Sequence, residues 1–108
     1  MDKLHVKGCK LLNSLGVTAN YTGFFQLLYA LQLCVDQPDR LLFVTKQLYP
    51  EVAKHFHTNW QAVERNLRTV GNIIWREGRP QLEELAHRPL KHKPANTKLL
   101  AILVLSLS

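Results

Sequence analysis

LYPEVAKHFHTNWQAVERNLRTVGNIIWREG, residues 48–78, is the stretch whose reading decides the fold. It predicts two helices joined by a tight turn, a short one from about Pro50 to Phe56 and a longer one from Trp60 to Glu77. Pro50 suits a first helical position, where its missing N–H would be unpaired anyway and its fixed φ is already helical. Thr58 followed three residues later by Gln61 reads as a capping box, the hydroxyl accepting from an unpaired N–H while the amide reaches back to the cap. Gly78 and then Pro80 stop the longer helix.

At about 100° per residue the longer helix separates two faces. Trp60, Val63, Leu67, Val70 and Ile74 form an apolar stripe, and Gln61, Arg65, Arg68, Thr69, Asn72 and Arg76 gather opposite. Arginine suits bidentate contact with guanine, and Gln or Asn with adenine. On the shorter helix Val52, Ala53 and Phe56 point toward the partner, and small Ala53 lets the axes approach. This is helix-turn-helix spacing, although His57 stands in the turn where glycine is frequent. Pattern leaves a second reading open, an amphipathic hairpin whose charged face is merely solvated.

The ordered segments LYPEVAKHFHT, Val63-Glu64-Arg65, Leu67-Arg68, Trp75 and the later KPANTKLLA narrow this choice. They resemble the C-terminal DNA-binding effector domain of the sporulation initiation master response regulator, the stage-zero sporulation protein A family of endospore-forming bacteria. That family is marked by LYP-[DE]-[IV]-A-K-x-F, then V-E-R-x-[IL]-R in the recognition helix, then K-P-x-N before the last helix. The likeness extends over essentially the whole chain, through Leu15-Gly16-Val17 and TGFFQLL at 22–28. It implies an all-α effector domain of about six helices around a helix-turn-helix, unlike a winged helix.

The rest of the chain fits one domain spanning 1–108. Its 108 residues suffice for a single core and are too few for two. An apolar share of 46% argues against disorder, and a formal charge of +6 favours an anionic partner, nucleic acid or acidic lipid. Met1 to Leu15 reads as a basic amphipathic helix closed by Gly16, without the apolar run of a signal peptide. A second helix starts at Asn20 or Thr22 and runs to about Val35; Phe24, Leu27, Leu28, Leu31 and Cys34 crowd its faces and predict a central position. Asp36-Gln37-Pro38-Asp39 breaks the chain, and Pro38 to Leu48 predicts a third helix bracing the helix-turn-helix. Pro80 to Ala86 predicts a short helix with Leu82 and Leu85 inward and Glu83 and Glu84 outward. The loop from His87 to Lys93 offers Arg88, Lys91 and Lys93 without an acid, suited either to phosphates or to solvent.

Asn96 is expected to cap the last helix. Its residues 99–108, LLAILVLSLS, carry no charge, whereas relatives resemble an amphipathic segment with charges near the end. Ten residues are too few for a membrane-spanning helix, which needs about 20, so core plus an association surface is expected.

No enzyme is expected, and no cofactor or metal. His55 and His57, two apart, diverge on a helix; Cys9 and Cys34 lack CxxC spacing and read as small buried hydrophobes in a reducing cytoplasm. Trp60 and Trp75 read as packing residues.

Carried over by position, the resemblance makes Glu64, Arg65 and Arg68 part of a DNA-reading surface in the major groove. Gln61, Thr69 and Asn72 share its face, while Lys54, Thr58 and Asn59, with Arg88, Lys91 and Lys93, would hold backbone phosphates. Ala62 departs from relatives, which often carry arginine there, and Gly71 and Asn72 replace bulkier or charged residues. Implied partners are double-stranded DNA bearing the family's sporulation box, a second copy head to tail on tandem sites, and RNA polymerase. No segment corresponds to a receiver domain, so the chain is either a fragment of a larger regulator or a stand-alone effector. Two other readings stay open: a non-DNA-binding protein that pairs with full-length regulators through its last helix, and an amphipathic protein of a membrane surface.

Overall fold

Six α-helices follow one another along the chain: α1 (Lys3–Ser14), α2 (Thr22–Asp36), α3 (Tyr49–His55), α4 (Trp60–Glu77), α5 (Arg79–Ala86) and α6 (Asn96–Leu107). The computed structural model describes residues 2–108, and no strand occurs among them. The expected all-α helix-turn-helix architecture is therefore present, without the β-wing of a winged helix among the described residues. Met1, included in the first expected helix, lies outside the described residues.

The crowding of apolar residues on α2 has the expected consequence. Phe24, Leu27, Leu28, Leu31 and Cys34 are all buried, and α2 packs against α1, α3, α4 and α6. A helix apolar on several sides has nowhere to go but the centre. Gln26 is the one buried polar side chain among the described residues, and its Oε1 accepts from Asn66 Nδ2 of α4 at 3.1 Å.

Three helices end in the same device. The N–H of Val17 bonds back to the Leu12 carbonyl, that of Thr58 to Ala53 and that of Arg88 to Glu83, each beside a residue with positive φ. Those residues are Gly16, His57 and His87. This is the Schellman geometry, in which a left-handed residue turns the chain so that otherwise unpaired carbonyls find donors. Gly16 acts as expected, while the two histidines hold a conformation that costs a side chain about 1–2 kcal/mol.

Pro38 to Leu48 is not the single helix expected. Residues Pro38–Leu42 form a 3₁₀ turn, Phe43 leaves the helical conformation at φ −142 and ψ 58, and Val44–Leu48 form a wide turn in which the Tyr49 N–H reaches the Val44 carbonyl. Pro50 supplies the reason: its ring would strike the carbonyl four residues back if an ordinary helix ran through it, and widening the preceding turn relieves this. Arg40 Nη1 crosses the break to the Gln47 carbonyl at 2.7 Å. The break leaves Leu42 and Phe43 exposed while Leu48 and Tyr49 enter the core.

Gly78 ends α4, yet Pro80 does not end the helical path, because α5 begins at Arg79 with proline in its first turn. Gly78 has no left-handed conformation; it is needed because a Cβ there would lie 2.4 Å from the Leu15 carbonyl oxygen. α6 buries Leu99, Leu100, Leu103, Val104 and Leu107 and leaves Leu105 76% exposed, so the uncharged segment is core on one side and open apolar surface on the other. No described helix is long and apolar enough to cross a membrane.

Candidate nucleic-acid interface

Helix α4 is held from behind by Val63, Leu67, Val70, Ile73 and Ile74, all buried, with Trp60 and Trp75 half-buried at the margins. α3 presents Val52 and Ala53 to it as the spacing predicts, and Phe56 is half-buried beside them. The cap differs from expectation. Asn59, not Thr58, starts α4: its Oδ1 accepts from the Ala62 N–H at 2.8 Å. Thr58 is consumed by the turn, where its N–H closes the end of α3 at 2.9 Å. With His57 left-handed, the chain enters α4 one residue later than a Thr58 cap would require.

Gln61, Arg65, Arg68 and Asn72 form an exposed line of about 16 Å along α4, from the helix rise of 1.5 Å per residue. They are not equivalent. Glu64 Oε1 accepts from Arg68 Nη2 at 2.5 Å, one turn apart, so that guanidinium is already oriented. Asn72 Oδ1 accepts from Lys93 Nζ, which ties the end of the basic loop onto α4. The Thr69 hydroxyl turns back to donate to the Arg65 carbonyl at 3.1 Å. Arg65 and Gln61 make no side-chain hydrogen bond or ion pair among the described residues and stand exposed on this line. Arg76 at the far end pairs with Glu77 at 2.9 Å.

The remaining expected residues fall into two groups, one near the α3–α4 turn and one on the basic loop. Thr58 and Asn59 are exposed at the N-terminal end of α4, with the Asn59 side chain occupied in capping, while Lys54 is exposed on α3 beside Tyr29, Glu51 and His55. Lys93 joins the α4 face. Arg88, Lys91 and Lys93 border one concavity of the loop together with Lys98, and Arg88 also reaches the edge of a groove between α5 and α6 beside Ile102 and Leu105. The loop is fixed by α5: the Leu90 carbonyl accepts from Arg79 Nη2 at 2.6 Å and its N–H donates to Glu83 Oε2 at 2.7 Å. Arg79 also lies over the Trp75 ring, 4.2 Å from its centre. Glu83, expected to face outward into solvent, is half-buried by this clasp. Periodicity shows only that these residues leave the apolar stripe, and the clasp spans eleven residues, beyond any helical repeat.

Asn96 does not cap α6. Ala95 stands at that position without a side-chain bond, and Asn96 Nδ2 donates instead to the Glu64 carbonyl of α4 at 3.0 Å. Both residues line a cleft of about 360 Å³ with Tyr49, Arg68, Lys93 and Thr97. Burial pushes the Tyr49 phenol above its ordinary range, an effect partly offset by the adjoining Asn96 side chain.

These are the positions at which the chain's motifs meet in space. The model of the family described as sporulation initiation factor Spo0A C terminal matches residues 9–107. The chain belongs to this family. The Spo0A C-terminal family consists of DNA-binding effector domains of sporulation response regulators and is not a family of enzymes. Its LYP, VER and KPxN motifs supply Tyr49, Glu64 and Asn96, three residues that line one cleft. Among the described residues no group of three or more His, Cys, Asp and Glu is placed to hold a metal ion. Cys34 is fully buried, and burial pushes its thiol up to about 11, with Arg40 pulling slightly the other way. A thiol held protonated in the core is not a nucleophile.

Proposed function

We propose that the chain is a sequence-specific double-stranded DNA-binding domain that regulates transcription, with α4 in the major groove. The observation that carries this reading is the exposed line of Gln61, Arg65 and Arg68 on a helix whose opposite face is fully packed. A helix held so firmly presents base-reading groups at a fixed angle, which sequence discrimination requires. Arg65 and Gln61 read base edges, Arg68 reads them in the orientation set by Glu64, and Asn72 and Thr69 border the contact. Lys54, Thr58 and Asn59 at one end, with Lys91 and Lys93 at the other, hold backbone phosphates; Arg88 does so from the outer side of the loop. The formal charge of +6 draws the domain to DNA at long range. The whole chain acts as one effector domain in the cytoplasm, without cofactor, binding as a head-to-tail pair on tandem sporulation-box sites and contacting RNA polymerase.

Fluorescence anisotropy against a box-bearing duplex and a scrambled duplex, over a salt series, tests this reading. Tighter binding to the box, falling steeply with salt as counterions are released, is the expected result. Equal binding to both duplexes removes sequence reading, and no binding by the folded protein removes DNA.

One observation favours a second reading. The α5–α6 groove, about 740 Å³ in volume, is lined by Leu85, Ala86, Ala101, Ile102 and the exposed Leu105. Such a surface suits an interaction protein that pairs with full-length regulators through its last helix. Failure to bind either duplex, together with capture of a full-length family regulator that Leu105→Lys abolishes, would establish it instead.

A further inference from the structure

Asn96 spends its side chain in an unusual way. At the start of a helix, asparagine ordinarily satisfies that helix's own unpaired N–H groups. Here α6 begins without any side-chain cap, and the amide leaves its own helix to donate to the Glu64 carbonyl at 3.0 Å, 32 residues away in sequence. A carbonyl oxygen has two lone pairs, so Glu64 accepts this bond without giving up its place in α4. One turn further along α4, Arg68 is oriented by the Glu64 carboxylate. The residue that orients an arginine through its side chain is therefore held through its backbone by Asn96. From α2, Gln26 accepts from Asn66, and on the same flank as Asn96 the Lys93 ammonium donates to Asn72. Apolar packing holds α4 on the core and limits its rotation, but hydrophobic attraction is not itself directional and leaves the fine setting of that rotation to polar contacts. Hydrogen bonds at residues 64 and 66 are directional and resist that rotation.

We propose that Asn96 is a positioning residue for sequence reading: its bond to the Glu64 carbonyl sets the rotation of α4 and hence the angle at which Arg65 and Arg68 meet base edges. This inference rests on the DNA-binding reading above. Phosphate contacts tolerate a small rotation of the helix, whereas paired contacts to a base edge do not. Loss of the Asn96 bond therefore lowers discrimination between DNA sequences while leaving nonspecific binding in place.

The test compares wild type, Asn96→Ala and Asn96→Asp by anisotropy on the box and scrambled duplexes, after far-UV circular dichroism and melting show each to be folded. Asn96→Asp removes the donor but places a carboxylate in the first turn of α6, where it favours that helix. If Asn96→Ala fails to fold, Asn96→Asp carries the comparison. The added charge weakens binding to both duplexes alike and leaves their ratio as the readout. Both variants are expected to lower the ratio of box to scrambled affinity about tenfold, the size of one misplaced base contact. A ratio within about twofold of wild type in a folded variant, a change of 0.4 kcal/mol or less by the same conversion, overturns the positioning role and leaves the DNA reading intact. A wild-type protein that does not distinguish the duplexes overturns the DNA reading itself, and the positioning role with it.

Discussion

Two glycines in helices, Gly71 and Gly23, should respond to alanine with opposite signs. Gly71 lies inside α4, where glycine costs about 0.8–1 kcal/mol relative to alanine. A Cβ built there meets Leu99 Cδ2 at 3.4 Å and Lys93 Cε at 4.0 Å, ordinary contacts with the ends of flexible side chains. Gly71→Ala should therefore recover most of the propensity term, stabilising the fold by about 0.5–1 kcal/mol and raising Tm by roughly 3–6 °C. Gly23 sits where α2 crosses α4, and its Cβ would lie 2.7 Å from the Asn66 carbonyl oxygen and 2.5 Å from Val70 Cγ2. Backbone cannot swing aside as a side chain does, so the helices must separate by several tenths of an ångström. Overpacking of this kind costs about 1–3 kcal/mol, and stretching the nearby Asn66–Gln26 hydrogen bond adds about 1. Position 23 is in the first turn of α2, where helix propensity returns little, so Gly23→Ala should destabilise by about 2–4 kcal/mol and lower Tm by roughly 10–20 °C. Thermal and urea unfolding followed by far-UV circular dichroism measure both. A shift of the same sign at the two positions would refute the packing argument.

Arg65→Ala should reduce box affinity by about 1–3 kcal/mol and scrambled-duplex affinity far less, because Arg65 has no structural partner to lose; equal losses would make it a phosphate contact only. His57→Gly should stabilise the protein by about 0.5–1 kcal/mol, since φ 56 strains a side chain and not glycine, with the greater freedom of glycine in the unfolded chain limiting the gain; a lower urea midpoint would contradict this. The Cys34 thiol, raised from 9.0 to about 11, stays protonated in the folded state while the unfolded chain ionises first. Its contribution is thus fully present below pH 9 and lost as pH rises to 11, at most about 2–3 kcal/mol. Urea midpoints across that range should fall, and should fall less in Cys34→Ala. Tyr49, also raised by burial, acts in the same direction, so a residual fall in Cys34→Ala is expected.

Helix existence and burial were legible because each depends on local period. The apolar stripe of α4, the crowded faces of α2 and the break at Asp36 to Asp39 are repeats of three to four residues, and the core forms from them as read. The motifs LYP, VER and KPAN identified the family by order and interval alone. The caps were less legible. Thr58 and Asn59 are both good N-caps, and the choice between them depends on the left-handed turn at His57. The 38–48 segment had the right apolar spacing for one helix, and the proline two residues beyond it changed the path.

Sequence by itself determined that the chain is all-α and that α4 has one apolar face and one polar face rich in arginine, and the chain's formal charge of +6 favours an anionic partner. Those properties follow from side-chain chemistry repeated along a helix, which needs no neighbour to define it. Only the tertiary structure decided that Asn72 on that face is engaged by Lys93, whereas the Arg68–Glu64 and Thr69–Arg65 bonds are local to α4, four residues apart. It alone turned Asn96 from a cap into a tie between α6 and α4, and gathered Arg88, Lys91 and Lys93 with Lys98 around one concavity. A hydrogen bond depends on positions to a fraction of an ångström, and for residues 21 to 32 apart, as for Lys93 and Asn96, those positions are set by how helices pack and not by spacing along the chain.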